Sequence, residues 1–127
     1  MRIATALWIV ATWYGEPYVG RSLYCGGWYK ESTPAWVAVD VREYEAGRVR
    51  CGDLLDITWK SGERLSARAW DAGPFEGYYV EDWGRDLPIV VDVPEHLWPV
   101  HPARSALVRV RNVTAELRGE MEWRAGR

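Results

Sequence analysis

Apolar residues in this chain come in short runs that alternate with polar ones or stand unbroken for a few positions, and each run ends at Gly, Pro or a knot of charges. A period of two suits a pleated strand, whereas scarcely any run keeps the spacing of an amphipathic helix. Residues 1–11, broken only by Thr5, read as a strand buried on both faces. The charge at Arg2 ahead of that stretch also suits a minimal signal peptide, but cleavage near Ala11 would cut into the next motif, so no cleavable signal is assigned. Residues 36–41 form a second strand. Residues 54–59 and 64–71, joined by Lys60-Ser61-Gly62-Glu63, form a hairpin, and residues 89–93 and 106–113 supply the last two strands. Between them, residues 15–35 read as a long irregular loop, residues 42–48 as a charged connection, residues 76–87 as an aromatic and acidic lid or groove wall, and residues 94–98 as one helical turn. Six short strands with long loops and one or two short helices predict one all-β domain, a closed barrel over residues 1–113. Residues 114–127 are a charged C-terminal tail, either a short helix or frayed.

Three of these strands deliver an acid at or near their ends. Asp71 closes the Arg-rich fourth strand ahead of Ala72-Gly73-Pro74, where Gly and Pro should turn the chain. Asp40 closes the second strand, and Asp92 follows Ile89-Val90-Val91 ahead of Pro94. One such Asp commonly does no more than bond loop amides. Three brought together would be a site.

Composition narrows the chemistry. A chain of 127 residues fits a single core. A net charge of −2 lacks the basic footprint that nucleic acid requires, so no nucleic-acid partner is expected. No segment approaches the ~20 apolar residues of a membrane-spanning helix. Nine Trp and seven Tyr against one Phe favour rings with polar tips, which tolerate a wet groove as well as a core. Cys25 and Cys51 belong to no CxxC or Cys/His cluster, so neither a metal nor another cofactor is expected. They are either one disulfide, closing a loop of about 26 residues, or two buried thiols.

The order of motifs then resembles known families. Ala11-Thr12-Trp13-Tyr14-Gly15, Cys51-Gly52-Asp53, Asp71-Ala72-Gly73-Pro74-Phe75 and Val91-Asp92-Val93-Pro94 are similar to the double-psi β-barrel domains of the rare lipoprotein A family and to the first domain of expansins. The acids at Asp40, Asp71 and Asp92 also resemble those of the bacterial three-aspartate domain. Asp40 stands where rare lipoprotein A members usually carry His, and Ala72 where they usually carry Arg, so the acid set leans toward the three-aspartate group.

This resemblance implies a six-stranded double-psi β-barrel that acts on peptidoglycan or another cell-wall polysaccharide, outside the cytoplasm or delivered by a phage. The implied activity is that of a lytic transglycosylase: Asp71, Asp92 and Asp40 are the candidate catalytic residues, with Asp71 slightly preferred as proton donor and Asp40 as tuner or substrate ligand. Thr12, Tyr14, Glu16, Tyr78, Tyr79 and Trp83 are the candidate substrate-binding residues. An Asp ordinarily titrates near ~3.9, and a proton donor at neutral pH must be held far above that by burial or by a second acid. The resemblance equally accommodates an expansin-like module that binds and loosens polysaccharide without cutting it, or a structural barrel of a phage tail or lysis apparatus.

Overall fold

A computed structural model of the chain describes residues 9–14, 21–28, 35–73, 79–80, 85–86 and 89–125. Eight strands appear among them: β1 (Ile9–Tyr14), β2 (Trp36–Asp40), β3 (Leu54–Trp59), β4 (Arg64–Gly73), β5 (Tyr79–Val80), β6 (Arg85–Asp86), β7 (Ile89–Pro94) and β8 (Ser105–Asn112). Six of them close a barrel in the order β1-β7-β2-β4-β3-β8, and β5 and β6 form a separate two-stranded ribbon. Helix α1 (Val41–Glu45) follows β2 directly, a 3₁₀ turn (Glu95–Leu97) follows β7, and helix α2 (Val113–Ala125) follows β8.

The period-two pattern decides what faces inward. Ala11, Val37, Val39, Leu55, Ile57, Trp59, Ala67, Ala69, Val91, Val93 and Val108 form the core of the barrel. β-branched and small side chains dominate because they fit a narrow, strongly curved sheet. Trp59 fills one part of it and meets Trp98 edge-on, with ring centroids 5.7 Å apart. Val10, Tyr14 and Ala38 point the other way and, with Leu23 from the loop before β2, make a second apolar cluster on the outer face.

Two parallel pairs, β1 with β7 and β2 with β4, are joined where β2 and β7 run antiparallel. Each parallel pair contains a bulge. Val90 is passed over between the pairs Val10↔Ile89 and Ala11↔Val91, and Trp70 is passed over between Val37↔Ala69 and Ala38↔Asp71. A bulge inserts one residue and thereby re-aims the side chains that follow it.

The bulges explain where the strands outrun the sequence pattern. β4 does not stop at Asp71: beyond Trp70 it resumes pairing with β2 through Ala72 and Gly73, so Asp71 lies within the strand. β1 likewise continues through Trp13 and Tyr14, held to Val93 and Pro94 of β7; residues 1–8 lie outside the described residues. The charged connection after β2 contains α1, capped by Asp40.

A disulfide joins Cys25 to Cys51. It fastens the loop at residues 21–28 to the turn before β3, where Gly52, at φ +89°, donates its N–H to the Ala69 carbonyl and a Cβ would meet the Trp70 ring at 3.8 Å. Residues 113–125 are a helix rather than a frayed tail, because Asp53 anchors them. The carboxylate of Asp53, 3% exposed, accepts two bonds of 3.1 Å from the Arg118 guanidinium, one of 3.0 Å from the Asn112 amide and one of 2.9 Å from the Arg50 N–H. Burial alone would raise the Asp53 pKa, but these bonds outweigh it and hold the carboxyl below its ordinary value.

Candidate functional site

The register of four strands places four residues in one row. Thr12 of β1 pairs with Asp92 of β7, Asp92 with Ala38 of β2, and Ala38 with Asp71 of β4. Paired residues on neighbouring strands share a face. That face is the outer one, since Val10 and Tyr14 flank Thr12 along β1 and point into the outer cluster. Two strand spacings set the Cα atoms of Asp71 and Asp92 about 10 Å apart. Ala38 is the register partner of both and is itself buried in the outer cluster.

Asp92 is part-buried, and the Thr12 hydroxyl donates to its Oδ1 at 2.9 Å. Burial pushes the carboxyl up, the Thr12 bond opposes that, and the negative charge of Asp71 adds to it; the net result is a pKa pushed up to about 7. Near neutral pH this group is therefore partly protonated, able both to give and to take a proton.

Asp71 is held from the loop above it. The Tyr24 N–H donates to Asp71 Oδ1 at 2.9 Å, and the Tyr44 hydroxyl donates to the Asp71 carbonyl at 2.9 Å. Burial, then the Asp71 charge, raises the pKa of Tyr44, so its hydroxyl stays protonated and remains a donor. Beside Asp71, the bulged Trp70 stacks on Trp36 with centroids 5.0 Å apart and an interplanar angle of 19°. Its indole N–H donates to the Gly26 carbonyl and its own carbonyl accepts the Cys25 N–H.

Asp40 has a different environment. It is 3% exposed, accepts the Arg42 N–H at 3.0 Å as the cap of α1, and engages the Arg42 guanidinium through both oxygens. The side-chain bond to Arg42 holds its carboxyl below the usual range against the opposing effect of burial. Burial is the main cause of the raised Asp92 pKa, and the one charge that adds to it is that of Asp71, not Asp40.

Among the other sequence candidates, Tyr14 is buried in the outer cluster against Val10, Leu23 and Ala38. Tyr79 begins β5, where it pairs with Asp86. Glu16, Tyr78 and Trp83 lie outside the described residues. Among the described residues, no group of three or more His, Cys, Asp or Glu could hold a metal ion, and no helix is long and apolar enough to cross a membrane.

No protein-family model matches the chain, and neither does any curated protein. Its structure does match one of an expansin from Clavibacter michiganensis, determined as an aspartate-to-asparagine mutant in complex with cellohexaose. The TM-score is 0.53 and the sequence identity 21%, with the match covering 84% of this chain and 49% of that one. This is an expansin-like double-psi barrel. The chain spans about half the length of that expansin.

On this expansin-like barrel, the motifs that carried the resemblance converge. Thr12, Asp71 and Asp92 come from three separate motifs and meet in one row. The contribution of the loop at residues 21–28 was not read from the sequence. Tyr24 sits next to Cys25, and a cysteine that ties a Gly-rich loop to a strand entry is the one local signal that could have singled it out. Ala38 and Tyr44 carry no such signal.

Proposed function

We propose that this protein acts on a cell-wall polysaccharide, bound across the outer row of Thr12, Asp92, Ala38 and Asp71, and cleaves it as a lytic transglycosylase with Asp92 as the acid and base. The observation that carries this reading is that Asp92, its carboxyl raised to about 7, and Asp71 are both register partners of Ala38, one on each side of β2. The first acid, kept protonated chiefly by burial, suits proton transfer near neutrality, and the second adds to that shift and offers an acceptor to sugar hydroxyls.

In this mechanism the Asp92 carboxyl gives its proton to the glycosidic oxygen as the bond from that oxygen to the sugar C1 breaks. The resulting Asp92 carboxylate takes the proton of the same sugar's C6 hydroxyl while the C6 oxygen bonds to C1. The sugar ends as a 1,6-anhydro ring, Asp92 is reprotonated, and no water is consumed. Thr12 orients Asp92 through the 2.9 Å bond, and Tyr24 and Tyr44 position Asp71. Asp40 shapes the corner between β2 and α1 through Arg42 and reaches the substrate only indirectly. The disulfide supports an oxidising compartment, in keeping with action at the wall outside the cytoplasm.

The second reading is an expansin-like module that binds the polysaccharide along the same row and breaks no bond. The structural likeness to an expansin solved with cellohexaose favours it. Products separate the two. Incubation with peptidoglycan sacculi followed by mass spectrometry is expected to release fragments with 1,6-anhydro ends, and Asp92→Asn is expected to release none. Retention on sacculi without any release supports the module, and hydrolysed reducing ends contradict the transglycosylase step.

A further inference from the structure

The loop at residues 21–28 presents aromatic rings to solvent beside the row. Tyr24 is 54% exposed and Trp28 61% exposed. An exposed ring on a free loop would mean little, but this loop is fastened from several sides. The disulfide ties Cys25 to Cys51, the Cys25 N–H bonds the Trp70 carbonyl, and the Trp70 indole bonds the Gly26 carbonyl. Leu23 is buried in the outer cluster, and Ser22 bridges to Trp28 across the turn. The loop is held in one shape, with its two rings left uncovered.

The position of Tyr24 relative to the row is equally defined, and the Ser22–Trp28 bridge keeps Trp28 on the same loop. The backbone N–H of Tyr24 is the group that bonds Asp71 Oδ1, so the Tyr24 ring stands at the Asp71 end of the row. That ring packs against Tyr44 with centroids 4.8 Å apart, and Tyr44 in turn bonds the Asp71 backbone. A carboxylate beside exposed aromatic faces combines two demands of a pyranose: acceptors for its equatorial hydroxyls and a flat apolar surface for its C–H face. Holding the rings in place beforehand removes most of the ordering cost of binding.

We infer that Tyr24 and Trp28 form a sugar-stacking platform that extends the glycan site beyond Asp71, so that the protein engages several consecutive rings of a β-linked polysaccharide rather than the one or two that the row alone would hold. This rests on the reading of the row as a glycan site. The platform gives affinity for chain length, while the row holds the reacting sugar. The disulfide serves the platform by fixing both its rings and the amide that steadies Asp71.

The test is a calorimetric titration of the full chain with cello- and chito-oligosaccharides of two and six sugars, in wild type and in the variants Tyr24→Ala, Trp28→Ala and Tyr24→Phe. Each Ala variant is expected to weaken binding of the bound hexasaccharide about tenfold, the effect of uncovering roughly 55 Å² of ring. Disaccharide binding and Tyr24→Phe are expected to be unchanged. The Tyr24 amide belongs to the backbone, so its bond to Asp71 survives Tyr24→Ala, and an unchanged melting temperature of Trp28→Ala shows that the loop is intact. Wild-type binding of a hexasaccharide with both Ala variants equal to wild type overturns the platform and leaves the row standing. Equal losses for two and six sugars also overturn it, because the rings would then act on the row itself. No wild-type binding of any of the four sugars overturns the row and the platform together.

Discussion

Asp92 and Asp71 stand on either side of Ala38, each the register partner of that one residue on β2. The β2–β4 bulge at Trp70 is what makes this possible, since it lets Trp70 and Asp71 share the outer face instead of alternating. Ordinary alternation would have turned Asp71 inward with Ala69 or displaced it from Ala38. The electrostatic relationship between the two acids therefore follows from a backbone irregularity.

Asp92 should make the protein less stable as pH rises. Its folded pKa, about 7, lies above the ordinary 3.8, so between those values the folded state binds more protons than the unfolded one and stability falls with increasing pH. Comparing Asp92→Asn, which cannot ionise, with wild type by urea unfolding should show wild type losing about 2–3 kcal/mol relative to the variant between pH 5 and pH 8. The variant is expected to be inactive and, at pH 8, the more stable of the two.

The Cys25–Cys51 link should stabilise both the barrel and the loop. Replacing both residues with Ser is expected to cost roughly 3 kcal/mol, as for a closed loop of this length. Hydrogen exchange should locate the local effect, with the Tyr24 and Cys25 amides exchanging faster as their bonds to Asp71 and Trp70 loosen.

Arg118→Ala should detach α2. It strips the buried Asp53 carboxylate of its guanidinium partner, a loss on the order of 3 kcal/mol. Because the folded pKa of Asp53 is depressed, the stability it contributes is present above the ordinary carboxylate range and fades as pH falls through the folded value. The difference between Arg118→Ala and wild type is therefore expected to shrink in acid, as urea unfolding at pH 7 and pH 3 would show.

Asp40→Ala tests whether that acid belongs to the chemistry or to the corner. Loss of the α1 cap is expected to cost about 1 kcal/mol, with the Asp92 titration unchanged. A large shift in that titration would return Asp40 to the reacting group.

Much of the barrel was legible in the chain because β3 alternates regularly, while β2 and β7 are short apolar runs that each reach an Asp. The hairpin of β3 and β4 was equally plain, since Lys60-Ser61-Gly62-Glu63 breaks two well-patterned strands. What escaped the sequence has a physical reason in each case. The extra residues Val90 and Trp70 leave no mark in a hydrophobic pattern, which therefore ends β4 at Asp71. The capture of Asp40 by Arg42, two residues on, and of Asp53 by Arg118, 65 residues on, depends on side-chain geometry that no period encodes. The disulfide lay open between two readings because whether two cysteines bond is set by whether the fold brings Cys25 and Cys51 together. The three acids were found as candidates; that burial, with the Asp71 charge, raises Asp92 while Arg42 holds Asp40 down followed only from the fold.

The most direct measurement is the NMR titration of the Asp92 side-chain carboxyl in the wild type, Asp71→Asn and Thr12→Val. An apparent pKa of about 7 is expected, moving down when the Asp71 charge is removed and up when the Thr12 bond is lost. A carboxyl that titrates near 4 in all three proteins would contradict the account.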